Sequence, residues 1–441
     1  MLSYQSDYTG RGDCPRRAKP AFQSLRDALP HWSEKAQMIT CSERMAHVHS
    51  DIRGPLYEEA LRMQAAGEKV LKLNTGNPGI FGFRMPESVR QALARHLEEA
   101  APYCDLRGMR PAREAICTYH TGRGLKGLAL EDIFICNGVS EAASMLMTAL
   151  LSHEDEVLMP APCYSLWSNN AYLRGGKPVF YRCDPQRAWN PDLDDMARKI
   201  TPRTKAILVI NPNNPTGAVY SRETLLAIAE LARQNHLLLI SDEIYDRLLL
   251  DNRPYDSLAA LAPDLPCVTL NGLSKSHIVC GFRCGWMAFT GPRSETSELL
   301  AAVTQLASMR LCSNALMQLV IPAALHDPES TQAMLTPGGR LYEQRRATEE
   351  GLRGVPGVSF VENKAAFYLF PGISRAMYPF RDGYDFAMKF LHEEHVLVIP
   401  GEGFEWHEDL RFRIVMLPEP EELTRAMAAF RAFLARHRKA E

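Results

Sequence analysis

Residues 206–217 read Ala206-Ile-Leu-Val-Ile210-Asn211-Pro-Asn-Asn214-Pro215-Thr216-Gly217. Their first five side chains are all apolar and do not alternate with polar ones, the pattern of a strand covered on both faces. The two prolines and the glycine then impose a rigid turn. After it, 221–235 has the amphipathic spacing of a helix. Buried strand, rigid turn and helix in succession are the repeating unit of a parallel sheet.

The same unit recurs on both sides. Short apolar runs at 132–136, 156–159, 178–183, 205–210, 237–241, 267–270 and 285–289 read as strands, and 141–151, 192–199 and 221–235 as helices between them. The expected fold class is therefore α/β, with a mainly parallel seven-stranded sheet covered by helices. After Phe289 the pattern changes. A long helical tract is expected over 294–325 and a helix over 339–351. Short strands at 358–362, 367–370, 396–399 and 410–416 interleave with helices at 384–394 and 419–438. That is the pattern of a smaller α+β domain. The expected organisation is an N-terminal arm at 1–45, a large domain at 87–325, and a small domain built from 46–86 and 326–441.

The chain has 441 residues, long enough for a large core in two domains. Its formal net charge of −2 offers no electrostatic case for nucleic acid or an anionic membrane. Eleven cysteines are scattered without a Cys-x-x-Cys pair or Cys/His cluster, which reads as free thiols in a reducing cytoplasm and no metal site. No apolar stretch reaches the length of a bilayer span, and the N-terminus has no apolar signal core. Arm 1–45 is rich in Arg, Lys, Pro and Ser, and reads as disordered or as a segment that wraps a second subunit.

Four motifs each follow an expected strand. In Asn271-Gly-Leu-Ser274-Lys275, with Arg283 eight residues on between Gly281 and Gly285, a lysine sits beside a hydroxyl and a guanidinium able to grip a phosphate. A cofactor with an aldehyde and a phosphate, pyridoxal phosphate (PLP), needs such a lysine to hold it and to move the substrate Cα proton. In Ser241-Asp242-Glu243-Ile244-Tyr245, Asp242 sits at a strand's carboxyl end, where it can pair with a pyridinium nitrogen, and Tyr245 can reach the cofactor's phenolic oxygen. The turn after Ile210 presents Asn214 to the same oxygen. In Gly138-Val139-Ser140, the backbone N–H groups of a helix start, with the Ser140 hydroxyl, form a phosphate seat; Ser140 also reads as a plain cap.

Taken together, and with Asp51-Ile-Arg-Gly-Pro55, Leu73-Asn-Thr-Gly-Asn-Pro78, Pro160-Ala-Pro162, Trp167, Met309-Arg-Leu-Cys312, Pro337-Gly-Gly-Arg340 and Phe412-Arg-Ile-Val415, these motifs resemble the class I/II aminotransferases of PLP fold type I. The bacterial alanine-type (glutamate–pyruvate) branch is the most similar. The resemblance runs from about Asp51 to the C-terminus. It implies PLP as a Schiff base on Lys275, Tyr164 stacked on its ring, and Gly138, Val139, Ser140, Asn214, Asp242, Tyr245, Ser274 and Arg283 around it. It also implies Tyr103 reaching the phosphate held by a second subunit, hence a homodimer with shared sites. Arg413 would bind the substrate α-carboxylate, with Arg411, two residues earlier on the same face, as rival and Arg53 as a further candidate. Gly76 would line the pocket where a side chain would strike substrate.

Some positions depart from the branch pattern. His277 and Ile278 stand where Tyr-Arg is usual, Ser50 replaces a tyrosine, and Ala365-Ala366-Phe367-Tyr368 replaces a Gly-Ala turn; 83–102 matches poorly. Two activities follow from the resemblance. One is ping-pong transfer of an amino group between an alanine- or glutamate-like amino acid and a 2-oxo acid. The other is a lyase or synthase on the same scaffold, eliminating or replacing a leaving group, for example on an amino acid resembling S-adenosylmethionine.

Overall fold

The computed structural model describes residues 41–327 and 329–439; most of the expected arm 1–45 lies outside them. Ala46–Glu441 forms one compact unit, and its described residues are the subject here. Its largest sheet has eight strands in the order Ile133–Asn137, Cys284–Thr290, Cys267–Gly272, Leu238–Asp242, Thr204–Ile210, Glu156–Ala161, Lys177–Asp184 and Asn190–Pro191. The five strands from Cys267–Gly272 to Lys177–Asp184 run parallel to their neighbours. Cys284–Thr290 is antiparallel on both sides. Seven of the strands are those expected. The eighth is a two-residue antiparallel edge pairing with Cys183 and Asp184, too short to leave a periodic signal.

The stretch 206–210 behaves as its composition requires. Ala206, Leu208 and Ile210 enter a core with Leu146, Met147 and Val303, from helices Val139–Leu150 and Arg293–Met309. Ile207 and Val209 point the other way, against Leu225, Ile228 and Ala229 of helix Arg222–Asn235. Alternate side chains thus enter separate cores, each burying apolar surface worth about 25 cal/mol per Å².

The expected continuous helix over 294–325 is interrupted. It ends at Met309, and Leu311 adopts a left-handed backbone (φ 69°) before short helices at Ala315–Gln318 and Ile321–Leu325. A left-handed residue cannot continue a right-handed helix, and no Gly or Pro marks the break. The C-terminal region centres on strand Leu410–Val415, antiparallel to Tyr368–Leu369, Gly372–Ile373 and Ile399–Pro400. Helices Gly383–Glu394 and Pro420–Arg436 pack Phe386, Phe390, Phe430 and Phe433 into a core that also takes Leu56, Ala60 and Leu73. Among the described residues, no helix is long and apolar enough to cross a membrane, and no group of three His, Cys, Asp or Glu is placed to hold a metal ion.

Candidate active site

A cleft of about 770 Å³ opens where strands Thr204–Ile210, Leu238–Asp242 and Cys267–Gly272 end. The carboxyl edge of an open α/β sheet is where such folds bind ligands. Lys275, Asp242, Asn214, Ser274, Val139, Ser140, Tyr164, Tyr245, Arg283, Gly76, Arg53 and Arg413 all line it. Twelve positions named from sequence are thus brought together by elements spread over some 360 residues.

On the cleft floor, Asp242 is the last residue of its strand and is buried. Trp167 Nε1 donates to its Oδ2 at 3.0 Å and the Ile244 N–H to its Oδ1 at 3.3 Å. Burial pushes its carboxyl up to about 6, partly offset by those two bonds and by Lys275. At neutral pH it is mainly ionised, with its orientation fixed. Lys275 Nζ donates to the Gly76 carbonyl at 3.0 Å. Burial lowers its amine to about 8, with Arg413 and Arg283 pushing the same way and Cys280 and Asp242 opposing. A lysine in that range keeps an appreciable neutral fraction near pH 7, as a nucleophile or base requires.

At the helix start, Gly138 has φ 80° and leads into Val139–Leu150. A Cβ on Gly138 would strike the Arg283 guanidinium, so glycine is required for that arginine to lie on the helix N-terminus. Arg283 is exposed in the cleft, in a left-handed backbone (φ 57°), with Nη1 donating to the Cys280 carbonyl at 2.8 Å. Ser140 is exposed beside it and Ser274 lies in the wall. Guanidinium, hydroxyls and free helix N–H groups form an anion seat.

Across the cleft, Arg413 is 1% exposed. Its Nη1 donates to Asn214 Oδ1 at 3.0 Å and its Nη2 to the Asn74 carbonyl, with the Tyr368 and Phe404 rings against it. Its Nε has no partner, and among the described residues no carboxylate pairs with it. Arg411 is also buried but is absent from the cleft. It donates to Asp409 Oδ1 at 2.8 Å and stacks on Trp189. Tyr245 is buried with its hydroxyl 2.9 Å from that of Tyr368. Tyr164 is half-buried, and burial raises its phenol. Tyr103 lies outside this chain's cleft and is 80% exposed. Gly76 lines the cleft, but a Cβ there would collide with the Tyr368 hydroxyl and the Phe367 ring. The protein itself already requires glycine at that position.

The model of the family described as aminotransferase class I and II matches residues 68–430. The chain belongs to this family. It is 46% identical over 397 residues to the glutamate-pyruvate aminotransferase AlaA of Escherichia coli (strain K12), covering 90% of this chain and 98% of that protein. It is 42% identical over 407 residues to the alanine aminotransferase of Mycobacterium tuberculosis (strain ATCC 25618 / H37Rv), covering 92% and 95%. The crystal structure of an aminotransferase from Escherichia coli superposes with a TM-score of 0.89 at 45% identity, covering 91% of this chain and all of that one. The chain is thus an aminotransferase-family enzyme of fold type I, on the alanine-type branch that the motifs resemble. The lyase or synthase reading is not favoured, since these relatives are all named aminotransferases.

Two parts of this aminotransferase cleft were not read from sequence. The sequence marks Trp167 only as a family-like residue, yet it pins Asp242 from 75 positions away. Tyr368 stands in sequence as a departure in a turn, yet it contacts Tyr245 and Arg413. The departures also separate. Ser50 and Ile278 line the cleft, whereas His277 is outside it, buried, with Nε2 2.9 Å from the Ala324 carbonyl.

Proposed function

We propose that this enzyme is a PLP-dependent aminotransferase that passes an amino group between alanine- or glutamate-like amino acids and 2-oxo acids by a ping-pong route. The observation that carries the reading is Arg413, a buried guanidinium with an unpartnered Nε and, among the described residues, no carboxylate paired with it. A buried cation left so is costly unless a ligand anion completes it. The residues fit the cofactor by their chemistry: an amine, an ionised acid and an anion seat whose approach depends on Gly138.

When bound, PLP supplies an aldehyde that accepts the amino group and a ring that takes up the electron pair at Cα. Lys275 Nζ would hold that aldehyde between turnovers and, once freed, would take up and return the substrate Cα proton. Asp242, held by Trp167, would pair with the ring nitrogen and keep it protonated. Ser140, Ser274, Arg283 and the N–H groups after Gly138 would hold the phosphate. Tyr164 would pack on the ring, and Asn214 and Tyr245 would serve its phenolic oxygen. Arg413 would orient the α-carboxylate with two parallel N–H groups, and Arg53, exposed in the cleft lining, is the further candidate cation for it.

The wider expectations stay part of this proposal: large domain 87–325 with small domain 46–86 and 326–441, a cytoplasmic location, and a homodimer in which Tyr103 completes the partner's phosphate seat. The test is to add single amino acids to the yellow enzyme and follow its spectrum with product mass. Pyridoxamine phosphate and a 2-oxo acid are expected; released ammonia or a lost leaving group would refute transfer. For sharing, inactive Lys275→Ala mixed with an inactive Tyr103→Phe should regain activity, because heterodimers hold one unlesioned site. No recovery would count against sharing.

A further inference from the structure

Outside the cleft lining lies a polar cluster with a buried centre and half-buried flanks that, on the reading above, touches no reacting atom. Its centre is Asp246, 2% exposed. Asp246 Oδ2 accepts from the Tyr119 hydroxyl at 2.5 Å and from Asn271 Nδ2 at 2.8 Å, and Arg123 Nε lies 3.6 Å away. Arg123 in turn stacks between the Tyr119 and Tyr255 rings. The Asp246 N–H donates to the Glu243 carbonyl at 3.0 Å. The other end of Asn271 is committed too, since its Oδ1 accepts from the Gly272 N–H at 2.7 Å.

These bonds link two places in the chain that matter. Asn271 lies near the end of strand Cys267–Gly272, four residues before Lys275. Asp246 follows Asp242 by four residues, in the turn after strand Leu238–Asp242. A single carboxylate therefore ties the strand end bearing the amine to the turn bearing the acid. Tyr119, on helix Arg110–Gly122, fixes that carboxylate from a third direction. Charge-assisted bonds of this length in a dry interior are strong and directional.

We propose that Asp246 is a positioning residue, which through Asn271 holds Lys275 in register with Asp242. The proposal rests on the reading of Lys275 and Asp242 as the working pair. Asp246→Asn keeps the size and the backbone bond, but removes the charge and turns a donor toward donors. Expected is a loss in kcat of roughly a hundredfold with KM little changed, because misplacement by about 1 Å costs on that order.

A merely structural role would also lower stability, so a second variant and a second readout decide. Tyr119→Phe removes one donor, adds no charge and leaves the groups that face Lys275 (Cys280, Arg413, Arg283 and Asp242) as they are. In cofactor-free protein, the pH dependence of Lys275 modification by an amine-directed reagent, read by peptide mass, reports its ionisation. Wild type should give a midpoint near about 8. In Tyr119→Phe the loosened strand end admits water, the midpoint should rise toward the ordinary lysine range, and kcat should fall with it. A folded Asp246→Asn with unchanged kcat, a loss confined to KM, or a Tyr119→Phe midpoint that stays put would each overturn the proposal. Persisting activity in Lys275→Ala would instead overturn the underlying reading of the site, so the two failures are distinguishable.

Discussion

Arg411 and Arg413 stand two residues apart on one strand, and both are buried. Arg411 is complete: a carboxylate at 2.8 Å and a tryptophan ring against its plane. Arg413 is not: its contacts are an amide oxygen, a backbone carbonyl and two rings, and its Nε has no partner. Asp242 and Glu243, adjacent in the chain, are divided instead by the way they face. Glu243 faces away from the cleft and its Oε1 accepts from Ser241 and Ser257 at 2.8 and 2.7 Å. Asp242 faces into the cleft with Lys275 among its charged neighbours. Charge type and burial are alike within each pair. Arg413 keeps an Nε with no partner, whereas Asp242 has both carboxylate oxygens bonded and differs from Glu243 by facing the cleft. An unfilled buried charge costs several kcal/mol, which a fold bears only where a ligand completes it.

The contrast can be broken most severely at the amine. Lys275→Ala should abolish turnover and the absorbance of the lysine-bound cofactor. A borohydride-reducible adduct at another lysine would show that the cleft was misread. Asp242→Asn should lower the single-turnover rate by orders of magnitude while PLP still binds, because the ring nitrogen loses its charge partner; a near-wild-type rate would remove Asp242 from the mechanism. The arginine pair gives the sharper comparison. Arg413→Lys keeps a charge but loses the fork, and should cost roughly a hundred- to a thousandfold in kcat/KM. Arg411→Lys should be mild, within about threefold in kcat/KM, its effect falling on stability through the lost Trp189 and Asp409 contacts. Measuring kcat/KM for both on one amino acid decides. A crippled Arg411→Lys with an active Arg413→Lys would reverse the assignment.

What was legible in the sequence follows from locality. Lys275, Asp242, Asn214 and Ser140 were readable because each sits within a few residues of a buried strand, so strand, turn and chemistry occupy one short window. The strands themselves were readable because runs such as 206–210 serve two cores at once and cannot tolerate polar residues. The break at 310–314 was not readable, because Leu311 takes a left-handed backbone without the Gly or Asn that usually announces one. Trp167 and Tyr368 were not assigned roles because their partners lie 75 and 123 residues away, and no periodicity encodes such pairings. Arg411 and Arg413 could not be separated by the alternation of a strand, which places both on one face. The family resemblance alone prefers Arg413; in the structure Asp409 and Trp189 occupy Arg411.

The smallest expected effect tests the other pair. Burial, with Asp246 nearby, pushes the Glu243 carboxyl from 4.5 up to about 7. Between those values the folded protein holds a proton on Glu243 that the unfolded chain has released. Stability must therefore fall as pH rises through that window. Asp242 adds the same sign between 3.8 and about 6. Lys275, lowered from 10.5 to about 8, has the opposite effect at higher pH: there the unfolded chain binds the extra proton, and stability rises with pH. Glu243→Gln keeps an acceptor for Ser241 and Ser257 but cannot titrate. Urea unfolding of cofactor-free protein across pH 4.5 to about 7 should show a shallower decline in the variant than in wild type. In the variant, little slope from these carboxyls should remain between about 6 and 7, above the Asp242 range, whereas wild type should keep that of Glu243. Parallel curves for the two proteins would mean that Glu243 is already ionised in the fold. The acid that faces away from the cleft would then carry its charge as the acid in the cleft does, and burial would not separate the two.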